Sequence, residues 1–218
     1  MSNGSVSNGT VTYIRWVASD VVMTRRLRAP ARREQLLDTA AQLVIDDGFH
    51  TLSVEAVAQR AGVTRAVIYR HFPDLDHLLG ALLEREMSRA SEQVAITTPS
   101  DLTGGEPHEL LLQSLAAFLQ AVHDNPRTWR LVLMPPEGAP PALRARIAQG
   151  RNAVLRRLAG ALPPAREGTD LQDPELTARM LSAIADEYAR LVLTDPNRYP
   201  PERLLRHAQH WLTFSTGQ

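Results

Sequence analysis

No cysteine occurs in the 218 residues. That excludes disulfide scaffolds, thiolate nucleophiles and cysteine-ligated zinc or iron–sulfur centres, and leaves oxygen and nitrogen donors as the only metal ligands. Lysine is absent too, so all 24 basic residues are arginine. Aromatic residues make up only 5%, which together with 12 glycines and 15 prolines fits helices better than an all-β barrel. Long apolar runs are missing. The stretch Val11–Met23 is interrupted by Arg15, Trp16 and Asp20, and nothing approaches the roughly 18 apolar residues of a spanning helix or the pattern of a secretory signal. The expectation is a soluble cytoplasmic chain with no membrane partner. There is also no G-x-S-x-G, P-loop, dinucleotide fingerprint or H-E-x-x-H, so neither an enzyme nor a cofactor is expected.

What is present is 44% apolar residues and a charge balance of 24 against 24, enough to bury a core and unlike a disordered chain. The balance is uneven along the chain. Five arginines and no acid lie between Met23 and Arg33, and extending the window to Phe72 gives eight arginines against five acids, a local +3. A basic end on a neutral chain suggests a polyanionic partner, the alternative being a solvated arginine tail. Residues 1–30 carry no periodic pattern and read as a flexible arm, with Met23 as an alternative start.

From Ala31 onward apolar residues recur at helical spacing. Leu36, Leu37, Ala40, Ala41, Leu43 and Val44 form one stripe, stopped by Gly48. Ser53 can cap a short helix carrying Val54, Val57 and Ala58, and Gly62 suits a break at positive φ. Thr64 is a candidate cap for a segment Arg65–Phe72 ended by Pro73, and Asp74 for a longer helix. After a linker at Thr97–Pro107 come helical stretches at Glu109–His123, up to Leu133, from Leu143 to Leu162, at Pro174–Leu193 and at Glu202–Phe214. The pattern predicts an all-α fold of about nine helices, with a helix-turn-helix domain over 31–76 and a helical bundle over 77–218.

Between Ser53 and Phe72 the second short helix presents an unusual outward face. Arg65, Val67, Tyr69, Arg70 and His71 crowd into barely two turns, Ala66 permits close approach, and Ile68 and Phe72 point inward. This is the pattern of a helix-turn-helix whose second helix enters a major groove. Arg65 can fork onto guanine, Thr64 can bond a base or phosphate, and Ala66 and Val67 can touch a thymine methyl. Tyr69 and His71 are phosphate donors, and the helix starts at Ser53 and Asp74 present backbone N–H groups. Arg32 and Arg33 add attraction independent of sequence.

The segment 33–83, with its Ala40–Ala41 pair, Gly48–Phe49, Thr51, Ser53–Val54, Val57–Ala58, Ala61–Gly62–Val63 and Ile68–Tyr69–x–His71–Phe72–Pro73, resembles the DNA-binding domain of the tetracycline-repressor (TetR) family. The resemblance implies a dimeric, ligand-responsive repressor with three DNA-binding helices and a divergent ligand-binding and dimerisation body. It places Arg65, Ala66 and Val67 where that family reads bases, and Ser53, Tyr69 and His71 where it grips phosphates. One departure is Leu75, at a position where the family usually carries a phosphate-binding lysine.

In the body, Leu181, Ile184, Tyr188 and Leu191, with Leu204, Leu205, Ala208, Leu212 and Phe214, resemble the last two helices that pair two subunits in that family; packing inside one subunit is the alternative. Phe118, Trp129, Met134, Met180 and Tyr188 are candidates to line an apolar ligand cavity, with His123 or Arg130 as its polar anchor, against the plainer role of core packing. His207 and His210 share a helix face but find no carboxylate at complementary spacing, so a solvated face is preferred to a metal site. Asp186 is expected to pair with Arg190 one turn on.

The sequence thus points to a homodimeric, ligand-responsive repressor on a pseudo-palindromic double-stranded DNA operator, with an apolar or aromatic small-molecule effector. An activator or non-liganded regulator of the same fold is the alternative. A helical carrier of lipophilic ligands, or a small hydrolase, has no use for Arg65, Tyr69 and His71 exposed on one short helix.

Overall fold

The computed structural model describes residues 28–102, 106–162 and 173–215, with side chains described as far as 210. Most of the expected arm (1–27), the segment 163–172 and the side chains of Leu212 and Phe214 lie outside the described residues. Among the described residues there are nine α-helices and no strand: α1 Ala29–Asp47, α2 Val54–Ala61, α3 Arg65–Tyr69, α4 Leu75–Thr97, α5 Pro107–Asp124, α6 Pro126–Leu133, α7 Pro141–Ala161, α8 Pro174–Thr194 and α9 Pro201–Ser215.

Local chemistry sets most of these ends. Proline occupies the first turn of α1, α5, α6, α7 and α8, where its missing N–H breaks no hydrogen bond. Ser53 accepts from the Ala56 N–H at the start of α2, and Asp74 accepts from the His77 N–H at the start of α4. Gly62, in the left-handed conformation at φ 65°, ends α2 with its N–H on the Gln59 carbonyl. The expected second helix of the pair is shorter than its pattern suggests. It stops at Tyr69, after which the His71 and Phe72 N–H groups both bond to the Ile68 carbonyl.

Two cores share α4. The first gathers Leu36, Leu37, Ala40 and Val44 of α1, Val57 and Ala58 of α2, Ile68 of α3, Phe72, and Leu78 and Leu82 of α4, and it takes in Leu131 and Leu143 from α6 and α7. The second joins Ala90 of α4 to Leu119 and Val122 of α5, Trp129 of α6, Tyr188, Ala189 and Val192 of α8, and Leu204 and Ala208 of α9. The division expected at residues 76 and 77 falls in the first turn of α4, and that helix runs through both cores.

A charged network ties the helices together where the cores meet. Arg85 of α4 pairs with Glu34 at 2.8 Å and Asp38 at 3.0 Å, both on α1, and with Glu86 at 2.7 Å. Glu86 is only 2% exposed and also accepts from Arg89 and from the Thr128 hydroxyl of α6. Burial is the largest influence on Arg85 and works against its charge, but Glu34, Glu86 and Asp38 outweigh it and hold the guanidinium above its ordinary value.

Candidate nucleic-acid interface and cavity

The helix pair places its polar side chains on one outward surface. Ile68 of α3 and Phe72 are buried in the first core, and this turns Thr64, Arg65, Ala66, Tyr69 and Arg70 outward as exposed residues, with Val67 half-buried. Tyr69 is 51% exposed, beside Arg65. Thr64 precedes α3 without capping it through its hydroxyl. Arg32 borders a shallow hollow with Gly62, Thr64 and Val67, so the first helix brings one of the expected phosphate-binding arginines beside the recognition helix. Arg33 stacks on the Phe72 ring at 4.9 Å, which ties its guanidinium to the core edge. Ser53 has its hydroxyl occupied by the α2 cap. His71 is half-buried, and burial, followed by the charges of Arg70, Arg32 and Arg33, holds it below the ordinary imidazole value. The shift favours the neutral ring, which has a single N–H to donate.

Arg65 has a partner that the sequence reading missed. Glu55, in the first turn of α2, accepts from the Arg65 guanidinium at 2.7 Å, and both side chains are more than 60% exposed. The bond to Arg65 is the main cause that lowers the Glu55 carboxyl from its usual value. Such an exposed pair contributes little to stability, but in this arrangement it turns the guanidinium towards α2. We expect Glu55→Ala to raise affinity for random DNA, since a negative charge beside phosphates is gone, and to lower the ratio of specific to random binding several-fold. Competition binding at fixed salt reads both quantities, and an unchanged ratio would mean that the pair opens before any base is read. Leu75 departs from a phosphate role altogether, because it packs against the first core.

A second site lies in the body. A cavity of about 710 Å³ opens between α4, α5, α7 and α8, closed on one side by Trp129 and Val132 of α6, within the size range of small-molecule pockets. Phe118 and Trp129, two of the seven residues proposed from sequence, border it as an edge-to-face pair 4.9 Å apart. The other five do not border it. His123 is exposed on α5, and Arg130 donates to the Leu193 carbonyl. Met134 and Met180 are 41% and 60% exposed. Tyr188 is buried and shares a 2.6 Å hydrogen bond with His207. Burial holds the Tyr188 hydroxyl above its ordinary value.

The expected pairing of Asp186 with Arg190 is corrected. Asp186 turns across to Arg151 of α7 at 2.7 Å, while Arg190 bonds to Glu187 and to the Leu133 carbonyl. Among the described residues, no group of three or more histidine, aspartate or glutamate side chains is placed to hold a metal ion, and no helix is long and apolar enough to cross a membrane.

Comparison with known proteins agrees with this geometry. Residues 36–82 match the family described as bacterial regulatory proteins, tetR family. An uncharacterized HTH-type transcriptional regulator of Mycobacterium tuberculosis is 31% identical over 145 residues, 66% of either chain, so the match spans about two thirds of that relative's length. Among solved structures, a TetR-like transcriptional regulator from Rhodococcus sp. RHA1 is 26% identical with a TM-score of 0.65, covering 88% of this chain and 100% of the other. The fatty acid degradation regulator FadR from Bacillus halodurans shares the fold at 18% identity and a TM-score of 0.59, over 83% of this chain and 94% of its own.

Proposed function

We propose that this chain, which belongs to the tetR family of bacterial regulatory proteins, is a sequence-specific DNA-binding transcriptional regulator and acts in the cytoplasm as a homodimeric, ligand-responsive repressor. The observation that carries the reading is the outward face of α3. Arg65, Ala66, Tyr69 and Arg70 are exposed together on a helix otherwise anchored by buried Ile68, and such a surface serves a major groove. Arg65 and Ala66 with Val67 read base edges. Tyr69, Arg70, His71, Thr64 and Arg32 hold phosphates, and the Ser53 cap aims the α2 N-terminus at the backbone.

Two copies are needed to read a pseudo-palindrome, and the last two long helices, α8 and α9, supply the seam. Of the residues expected there, Tyr188, Leu204 and Ala208 are buried in the second core of one subunit, Ile184, Leu191 and Leu205 are partly buried against it, and Leu181 borders the cavity. Leu176 and Met180, one turn apart on α8, are left 58% and 60% exposed, and on the described part of that helix they are the large apolar side chains that a partner subunit would cover. An effector in the cavity then shifts the dimer between two states of different DNA affinity.

Selection of the full chain against random duplex DNA at about 0.15 M salt, where weak phosphate-only binding is suppressed, tests the reading. The expected result is an enriched pseudo-palindrome with half-sites about 10–10.5 base pairs, or a multiple of that, apart. Enrichment of a single unrepeated site would overturn the dimer, and no enrichment would overturn sequence-specific binding. Arg65→Ala is expected to relax preference at one position of each half-site by about ten- to a hundredfold, read by repeating the selection.

A further inference from the structure

The walls of the body cavity mix apolar side chains with the hydroxyls of Ser88, Ser91 and Ser114, and its buried carboxylate lies where α7 faces α8. There Asp186, with its side chain 14% exposed, turns one carboxylate oxygen into a place shielded from solvent. Arg151 approaches that oxygen to 2.7 Å, yet no donor meets it in hydrogen-bond geometry. The ion pair is close but misaligned, and a buried oxygen in this condition lacks the bond that normally offsets its lost hydration.

The two partners differ in their freedom to leave. Asp186 is carried on a short side chain within the wall. Arg151 is carried on a long one, 46% exposed, from a helix on which only Leu143, Leu158 and Ala161 are buried. The arginine can reach water and the carboxylate cannot, so parting them leaves Asp186 buried without a cation, a cost that a replacing cation would remove. Burial pushes the Asp186 carboxyl up despite the opposing charges of Arg151 and Arg190, a second sign that its charge is incompletely met. The other charged residues at the cavity are Glu84, Arg146 and Arg157. Arg146 is paired with Glu84 at 2.5 Å, and Arg157 is exposed, where water and salt screen it far more than they screen a buried carboxylate.

We propose that Asp186 anchors the effector, and that the effector class is a lipophilic amine, bound as its ammonium. The N–H of the amine would take up the shielded oxygen, its apolar body would lie against the edge-to-face pair of Phe118 and Trp129, and Arg151 would be displaced towards solvent. The Trp129 indole N–H is already donated to Gln93 at 2.7 Å, so that ring offers an apolar face and no competing donor. The proposal rests on the ligand-responsive reading above and adds the charge of the ligand to it.

Calorimetric titration of the full chain with 4-phenylbutylamine, 4-phenylbutanol and 4-phenylbutanoate tests it, since the three differ only in the polar end. The amine is expected to bind about tenfold or more tighter than the alcohol, as a hydrogen bond to a charged group requires, and the carboxylate weakest. Asp186→Asn should remove the advantage of the amine while leaving the alcohol unchanged. Arg151→Met should tighten the amine, because it deletes the competing cation. A structural ion pair alone would give no such rise. Equal binding of amine and alcohol, strongest binding of the carboxylate, weakening by Arg151→Met, or no binding of any probe would overturn the proposal. If Asp186→Asn does not fold, by thermal melting, the order of the three probes on the wild type and the sign of the Arg151→Met effect decide. Failure of the ligand-responsive reading looks different: the amine binds through Asp186, and affinity for the selected operator does not change.

Discussion

Joint replacement of Leu176 and Met180 by glutamate is expected to convert the protein to monomers and to lower its affinity for a full operator by about 10²–10⁴-fold. That range is the loss expected when two linked binding events become independent. Both side chains lie largely in water within one subunit, so the substitutions leave its core intact. In a paired seam they would set four carboxylates against one another and against apolar surface. Leu176 and Met180 are separated by one helical turn and Ala183, also exposed, continues the same face. The measurement is sedimentation velocity together with binding to full and half operators. The double variant should sediment as a monomer and bind an isolated half-site as the wild type does, with an unchanged melting profile of secondary structure in the subunit. A dimer that persists would move the seam off this face of α8.

The DNA-binding head was legible because its determinants are local. Gly48, Ser53, Gly62 and Asp74 end or start helices through bonds to residues within four positions of themselves, so their residue types announce the turns. The inward stripe Leu36, Leu37, Ala40, Ala41 and Val44 is buried as its spacing predicts. The short helix was overestimated for an equally local reason. Arg70, His71 and Phe72 keep helix-like spacing, but the chain has already tightened at the Ile68 carbonyl ahead of Pro73.

The cavity was not legible in the same way, because a cavity belongs to the packing of several helices and not to any one of them. Phe118 and Trp129 came through because large aromatic residues on amphipathic helices must meet something. Met180 is apolar by type, yet its position on α8 turns it outward. Asp186 carried no signal, since an arginine four residues on offered a ready partner and the true one is 35 positions away on α7. The Glu55–Arg65 pair escaped for the same reason, being formed between helices across the Gly62 turn.

Arg85→Met is expected to destabilise the fold by about 3–5 kcal/mol, the loss typical of breaking a buried ion pair from one side. The substitution leaves Glu86 at 2% exposure with the Thr128 hydroxyl and a distant Arg89, which is 3.4 Å away and 43% exposed. Glu86→Gln should cost less, about 1–2 kcal/mol, because the amide oxygen still accepts from Thr128 and Arg85 keeps Glu34 and Asp38 as partners. A double replacement, Arg85→Met with Glu86→Leu, should recover part of the loss of the first, since no buried charge is then unpaired. Urea unfolding at fixed protein concentration, as a homodimer would require, reads all three as shifts in midpoint. Glu86→Gln costing more than Arg85→Met would show that the carboxylate holds the arginine rather than the reverse. The order matters for regulation as well as stability. Glu34 and Asp38 lie on α1 of the DNA-binding head, and Thr128 adjoins Trp129 in the cavity wall. The network links α6 to α1, so under the proposed ligand response Arg85→Met is expected to reduce the change in DNA affinity that a cavity ligand produces, measured on protein kept well below its unfolding midpoint.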